Sequence, residues 1–441
     1  MCNKFDYTTH NNWLKYAATI LIAFVYIISA IYTNNLQYGK TPIKQDPAGY
    51  YCYLPSVFIY HNLNSGYLFW KHEFARNYYK EYGYQPERWF LYHGKNGRWV
   101  IKFSCGVALC ELPFFLTACL CSKICGFPID GYSFFFKLFF IICNLTFSFL
   151  GLYALYKLLK SYFKEQIAII TIIITALCTN YYYYSCIVIG MSHIFNFFFA
   201  TVLLHNWLSF LKEQTIKKFC ISSFCMGMIV LIRPTDCVYG IFLFMLLALD
   251  KKLPIFITFL KSCRIKVLYF VACFFSPLLV QMIFWKFAAG TFVFYSYANE
   301  GFDFLHPHIL DGLLSIKKGW LIYTPIMIFA LAGLKLCRKN YSIALLIALA
   351  IHCWIVFSWW SWWYGGSFGC RVMILFYPAL AIPMAKLLGK VKTKFAIFAV
   401  GFIIAFFSYW NVLQSYQVQK GILHYENTDW ELYKKSLFRI K

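Results

Sequence analysis

The chain is a succession of apolar runs separated by short polar segments. Runs near 20 residues match the hydrocarbon thickness of a bilayer when helical. Eleven runs read as spans, at 16–34, 133–156, 167–187, 193–211, 218–232, 235–249, 266–286, 320–335, 342–358, 372–388 and 395–412. Within 219–249, Arg233-Pro234 predicts a hinge between two short helices, because proline removes a helical N–H and clashes with the preceding turn. A further segment, 104–125 (SCGVALCELPFFLTACLCSKIC), is long enough to span but carries Glu111 and Pro113 at mid-run. An ionised carboxylate there is costly in hydrocarbon. The pattern defines an all-α polytopic membrane protein.

Charge decides how the runs thread. If 104–125 does not span, five connecting segments lie on one side and hold 18 Lys and Arg. The short segments on the other side hold five: Arg233, Lys286, Lys317, Lys318 and Arg371. If it spans, the counts swap sides and the excess of cytoplasmic cations is lost. The expectation is therefore a cytoplasmic N-terminus, with 35–131 a large first extracytoplasmic loop in which 104–125 lies along the membrane face. Residues 1–412 form one transmembrane module, and 413–441 form a short extracytoplasmic tail. The first run lacks a convincing cleavage site and reads as an uncleaved anchor. No internal repeat is visible.

Composition agrees. The 441 residues are 61% hydrophobic and 13% charged, more apolar surface than a soluble domain could bury. The net charge of +24 belongs to the segments between runs, so no nucleic-acid partner is expected. The 18 cysteines form no CxxC pair and no zinc-type array with histidine. His306 and His308 could reach one metal ion, but two ligands do not make a site, and no cofactor is assigned.

In this topology the unusual polar residues converge on the extracytoplasmic face. Asp46 follows span 1; His193 lies between spans 3 and 4; Arg233 and Asp236 lie between spans 5 and 6. Glu300, Asp303, His306 and His308 lie between spans 7 and 8, and a Trp-rich stretch with Arg371 lies between spans 9 and 10. Such a gathering at one end of a bundle points to a site. Each residue also has a plainer reading. Asp46 could cap a helix starting at Pro47. Arg233 and Arg371 could snorkel to headgroups, although the arginine fork also suits phosphate. Asp236 could simply pair with Arg233, and His193 could be a packed polar residue. Trp359, Trp360, Trp362 and Trp363 could be an interfacial belt. Gly365-Gly366 and Gly369 mark a tight loop where backbone approaches a ligand or another helix.

These residues and the layout resemble the GT-C superfamily of integral-membrane glycosyltransferases, especially its protein O-mannosyltransferase and aminoarabinose-transferase branch. The resemblance rests on one span, then a large external loop with an acidic residue just past it, then a many-helix bundle. It is joined by Arg233-Pro234-Thr235 and by the passage from GTFVFYSYANEGF to KKGWLIYTP. The chain departs from many relatives in having neither an early acidic pair nor a His-Pro-Pro element, and the large soluble C-terminal domain of some relatives is not expected in it. The resemblance implies a GT-C-like bundle of about 11 transmembrane helices with membrane-lying helices in the first loop. It implies an inverting transfer of sugar from a polyprenyl-phosphate donor to a hydroxyl of a glycan, lipid or protein acceptor, at the outer face of the inner (plasma) membrane. Asp46 would be the general base. Arg233, Arg371, Lys317 and Lys318 would hold the lipid phosphate. Tyr50, Tyr51, His193, Asp236, Glu300, Asp303 and Trp363 would contact substrate. The rival readings are a transporter or lipid-linked-sugar flippase, and a non-catalytic envelope scaffold.

Overall fold

A computed structural model describes residues 12–34, 36, 40–61, 89–93, 98–262, 264–424, 426 and 428–440. Part of 35–131, the segment expected to form the first external loop, lies outside the described residues, including 62–88. The chain begins with α1 (Asn12–Thr33), two short helices α2 (Asp46–Tyr51) and α3 (Tyr53–Phe58), and a hairpin of β1 (Leu91–His93) and β2 (Trp99–Ile101). The helices α4 (Gly106–Cys125), α5 (Phe134–Lys160), α6 (Glu165–Leu177), α7 (Ser192–Glu213) and α8 (Ile216–Ile232) follow. Next come α9 (Val238–Leu249), α10 (Leu253–Lys261), α11 (Arg264–Ala289), α12 (Ile309–Leu314), α13 (Trp320–Tyr323), α14 (Met327–Gly333) and α15 (Lys339–Phe357). The chain closes with α16 (Tyr377–Leu388), α17 (Lys394–Gln419) and α18 (Trp430–Ser436).

Eight helical stretches among the described residues are long and apolar enough to cross a membrane: α1, α4, α5, α7, α11, α15, α17 and the continuous Arg371–Leu388. Three shorter apolar stretches, Glu165–Leu177, Pro234–Leu249 and Met327–Leu336, add to them. The bundle is built on α7, which packs against α5 and α8; α8 packs in turn on α11, α14 on α16, and α9 on α15. The small hairpin is an addition to the expected all-helical chain, with Tyr92 opposite Val100.

Two expected spans are interrupted and a third starts irregularly. The run at 167–187 stops as α-helix at Leu177, because Asn411 Nδ2 of α17 donates to the carbonyls of Leu177 and Thr179. The chain then turns through a π-helical stretch, Tyr183–Ile187, whose Cys186 carbonyl accepts from Thr33 and Asn34 at the end of α1. A distant polar partner has replaced the helical ladder. The run at 320–335 breaks between α13 and α14, where Pro325 holds Thr324 out of the helical region. The run at 372–388 starts as a 3-10 turn, Arg371–Phe376, and only then becomes α16. The hinge at Arg233-Pro234 is present: α8 ends at Ile232, Arg233 is extended, and Pro234–Cys237 is a 3-10 turn.

Helix α4 is a continuous 20-residue apolar helix despite Pro113, as long as a span. It packs on α5 and against α2 and α3. Helix α17 runs on to Gln419, past the expected end at 412, and α18 folds back on it: Gln414 donates to the Tyr433 hydroxyl, and Gln417 to the Ser436 and Arg439 carbonyls.

Candidate active site

Helix α2 is placed by what lies beneath it. Gly190 has a φ of 80°, and a side chain there would strike the Phe140 ring and press on Pro47, so only glycine lets the Tyr-rich turn pass under α2. Asn144 fixes the same turn by accepting from the Gly190 N–H. Asp46 opens α2 with its side chain one-fifth exposed. Among the described residues the one hydrogen bond to its carboxylate comes from Arg371 Nη2, at 2.7 Å, so Asp46 is paired across the site.

Arg371 is buried at the start of its 3-10 turn. Its Nη1 lies 3.6 Å from Met191 Sδ, and its Nε has no hydrogen-bond partner among the described residues. Arg233 stands beside it on the α8 break. Its Nη1 is 3.4 Å from His193 Nε2 and its Nε 3.6 Å from Asp236 Oδ1. Burial works against its charge, but Asp236, Tyr364 and Tyr50 outweigh burial and keep it firmly protonated. Asp236 is itself buried and accepts from Asn196 Nδ2 at 2.6 Å.

Both guanidiniums face the ring of Tyr364, Arg233 at 5.7 Å and Arg371 at 6.0 Å from its centroid. Tyr364 has a φ of 57°, a left-handed conformation costly for a bulky side chain, and its hydroxyl is tied to the Val356 carbonyl at 2.8 Å. Gly369 in the same loop also has a positive φ, and a side chain there would meet Tyr323.

Tyr50 completes the group. Its hydroxyl donates to Ser192 Oγ at 3.3 Å. Burial, and then the nearby Asp46 charge, push that hydroxyl above the usual tyrosine range, while Arg233 pulls the other way. Lys318 is buried on the far side of the glycine loop and donates to the Ser367 carbonyl. Burial first, then the charges of Arg371 and Lys317, lower its pKa to about 7, with Glu426 opposing. Lys317 sits 3.8 Å over the Trp363 ring, whose buried Nε1 has no partner among the described residues.

Asp46, Arg371, Arg233, His193, Asp236 and Tyr50 thus form one connected cluster, flanked by Lys318. Glu300 lies in an adjoining one: it forms an ion pair with Lys102, accepts from Trp360 Nε1 at 3.1 Å and faces the Tyr92 hydroxyl. Tyr51 is directed elsewhere, bonding the Gly131 carbonyl at 2.6 Å and packing on Phe115, Tyr132 and Phe140. Asp303 is exposed and bonded to His306 at 3.0 Å. The two histidines diverge, since His308 turns to Asp311 and stacks on Trp362. Among the described residues no group of three His, Cys, Asp or Glu is placed to hold a metal ion.

Sequence reasoning missed Tyr364, whose one signal was its place just before Gly365-Gly366. It also missed Lys102 as a site element. Lys102 lies over Trp89, Phe103 and Tyr297 at 5.1, 5.8 and 5.2 Å from their centroids, a caged cation.

The geometry describes a largely buried cluster in which two guanidiniums share one tyrosine ring with a carboxylate alongside each. No protein-family model matches the sequence, and no curated protein matches it. Among solved structures, the fold is similar to that of ArnT from Cupriavidus metallidurans, in the apo state and bound to undecaprenyl phosphate. Each superposition has a TM-score of 0.53 at 11% identity. The matches cover 94% and 95% of this chain, and 66% and 67% of theirs, so this chain spans about two thirds of their length. The protein is a multi-pass helical membrane protein with a GT-C-like fold.

Proposed function

We propose that the protein is an inverting glycosyltransferase that moves a sugar from a polyprenyl-phosphate donor to an acceptor hydroxyl. The observation that carries this reading is the Asp46–Arg371 pair beside Arg233, with both guanidiniums over the Tyr364 ring. The fold's likeness to an ArnT structure bound to undecaprenyl phosphate supports it. The charge distribution supports a pocket on the extracytoplasmic face of the inner membrane, with a cytoplasmic N-terminus, α4 lying along the surface and a tail beyond 412 on the outer side.

In the proposed step the acceptor oxygen attacks the anomeric carbon from the face opposite the phosphate. The bond from that carbon to the phosphate oxygen breaks, and polyprenyl phosphate leaves with the electron pair. The acceptor proton passes to the Asp46 carboxylate. Arg371 and Arg233 stabilise the charge that grows on the leaving phosphate, aided by Lys318 and Lys317. In this scheme the incoming phosphate takes over the Arg371 fork, which frees Asp46 to act as base. Tyr50 and His193 line the sugar side. Glu300 and Trp363 belong to the acceptor side, with Asp303 and Tyr51 supporting the surrounding loop and helix.

The test is release of free polyprenyl phosphate by purified protein in lipid, supplied with a panel of polyprenyl-phosphate sugars and envelope acceptors. Wild type is expected to release it and Asp46→Asn to fail. Equal absence of release with folded protein and a broad panel would overturn the transferase reading.

A further inference from the structure

At the end of the bundle away from Asp46 and Arg371, α1, α5 and α6 enclose an open groove of about 340 Å3. Ala18, Ile22, Leu152, Ile169 and Ile172 give it an apolar wall, and Lys15 stands at its end. Three lysines gather there over two tyrosines of α5. Lys157 Nζ lies 4.5 Å from the Tyr153 centroid, and Lys15 and Lys160 lie 5.3 and 5.5 Å from that of Tyr156. Glu165 shares this rim, but its carboxylate is occupied by the Tyr156 hydroxyl and by Lys160 at 3.4 Å.

The groove lies along the N-terminal half of α1, away from the candidate site. The far end of α1, Thr33 and Asn34, is bonded to Cys186 in the turn that leads to Gly190 and Met191 beneath Asp46 and Arg371. Lys15 is 18 residues earlier on the same helix, about 27 Å away along the axis.

We infer that this groove binds one acyl chain of an anionic phospholipid from the leaflet opposite the candidate site, with the headgroup on Lys15, Lys157 and Lys160. An apolar slot of this volume suits a chain segment. A cluster of cations at its mouth selects negative headgroups over zwitterionic ones. The tail of a polyprenyl donor arriving at the other face would gain nothing from the lysines. The assignment does not depend on the proposed transferase activity.

The full-length protein would be extracted in mild detergent, exposed to dioleoyl phosphatidylglycerol or dioleoyl phosphatidylcholine, and its bound lipids counted by native mass spectrometry. Wild type is expected to retain phosphatidylglycerol in preference to phosphatidylcholine. Lys15→Gln should reduce that preference about fivefold, the worth of one cation near a lipid surface. Ala23→Phe, which fills the slot, should remove retention of both lipids. Lys15 is half-buried and makes no ion pair with an acid among the described residues, so Lys15→Gln carries the test alone if Ala23→Phe does not fold. Equal retention of the two lipids, or no effect of Lys15→Gln, would overturn the assignment. So would displacement of phosphatidylglycerol by polyprenyl phosphate, or a gain in its binding when residues 2–11 are deleted, which would make the N-terminal segment the occupant.

Discussion

Arg233 and Arg371, 138 positions apart in sequence, face the same tyrosine ring, that of Tyr364. Each also has its own carboxylate: Asp236 at 3.6 Å from Arg233 and Asp46 at 2.7 Å from Arg371. Two like charges stand together because each is neutralised by a different acid and both rest against a π face.

The two ion pairs should answer differently to mutation. Asp236 is 1% exposed, so Arg233→Met leaves a buried carboxylate unpaired, a change that costs about 3–5 kcal/mol. Adding Asp236→Asn should restore stability, because Asn196 can still donate to the amide oxygen. It should not restore turnover, since the phosphate-side cation is still missing. Thermal unfolding in detergent and release of polyprenyl phosphate read the two effects separately. Rescue of both by Asp236→Asn would make Arg233 purely structural. Replacement of Arg233 and Arg371 together, in the Asp236→Asn background, should abolish turnover with membrane insertion intact.

Tyr364 separates ring from strain. Tyr364→Phe loses the bond to the Val356 carbonyl but keeps the ring under both cations, so turnover should hold. Tyr364→Ala removes the ring, and loss of two cation–π contacts should weaken donor affinity about tenfold. Tyr364→Gly also lacks the ring but is relieved of a φ of 57°, so it should be about 1 kcal/mol more stable than Tyr364→Ala. Initial rates against donor concentration and unfolding midpoints check the series. Equal donor dependence in the Phe and Ala variants would refute the role of the ring.

How far the sequence reveals this site follows from the range of each interaction. The hinge at Arg233 is local, since Pro234 enforces it, and so it is legible. The gathering of Asp46, Arg233 and Arg371 at one end follows from counting spans and cations. Tyr50 and Tyr51 are not separable in this way. Neighbours on a helix point about 100° apart, and only the fold turns Tyr50 to Ser192 and Tyr51 to Gly131. The broken run at 167–187 depends on Asn411, more than 200 residues away, and the left-handed Tyr364 on a loop packed under two arginines.

The Lys102–Glu300 pair joins the segment before α4 to the segment between α11 and α12 across 198 positions. Tyr295 reinforces it by donating to the Glu300 carbonyl, and Ser296 by donating to that of Lys102. Glu300→Gln leaves the caged ammonium without its acid, so amide hydrogen exchange at residues 295–303 should rise. Lys102→Met with Glu300→Gln removes the unpaired charge and should return exchange toward the wild-type rate. No change in exchange on Glu300→Gln would mean that backbone contacts alone, such as Asp303 N–H to the Ser358 carbonyl and Trp360 N–H to Gly301, hold the loop.

Lys318 gives the site a pH dependence. Its folded pKa of about 7 lies below the ordinary lysine value of 10.5, because burial and the Arg371 and Lys317 charges oppose its proton. The unfolded chain therefore binds more protons than the folded one between pH 7 and 10.5, and this residue's share of stability rises with pH across that window. Below about pH 7 the full penalty of a buried charge is present. Activity should run the other way if the ammonium helps to hold the leaving phosphate: turnover at low donor concentration should decline as pH rises through 7. Lys318→Arg, which keeps its charge, should move that decline to higher pH. Lys318→Met should lower turnover below pH 7 to the level wild type reaches at high pH, flatten that limb and remove the matching slope in the unfolding midpoint. A wild-type limb that persists unchanged in Lys318→Met would assign the titration to another group and leave Lys318 as a tether for the Ser367 carbonyl.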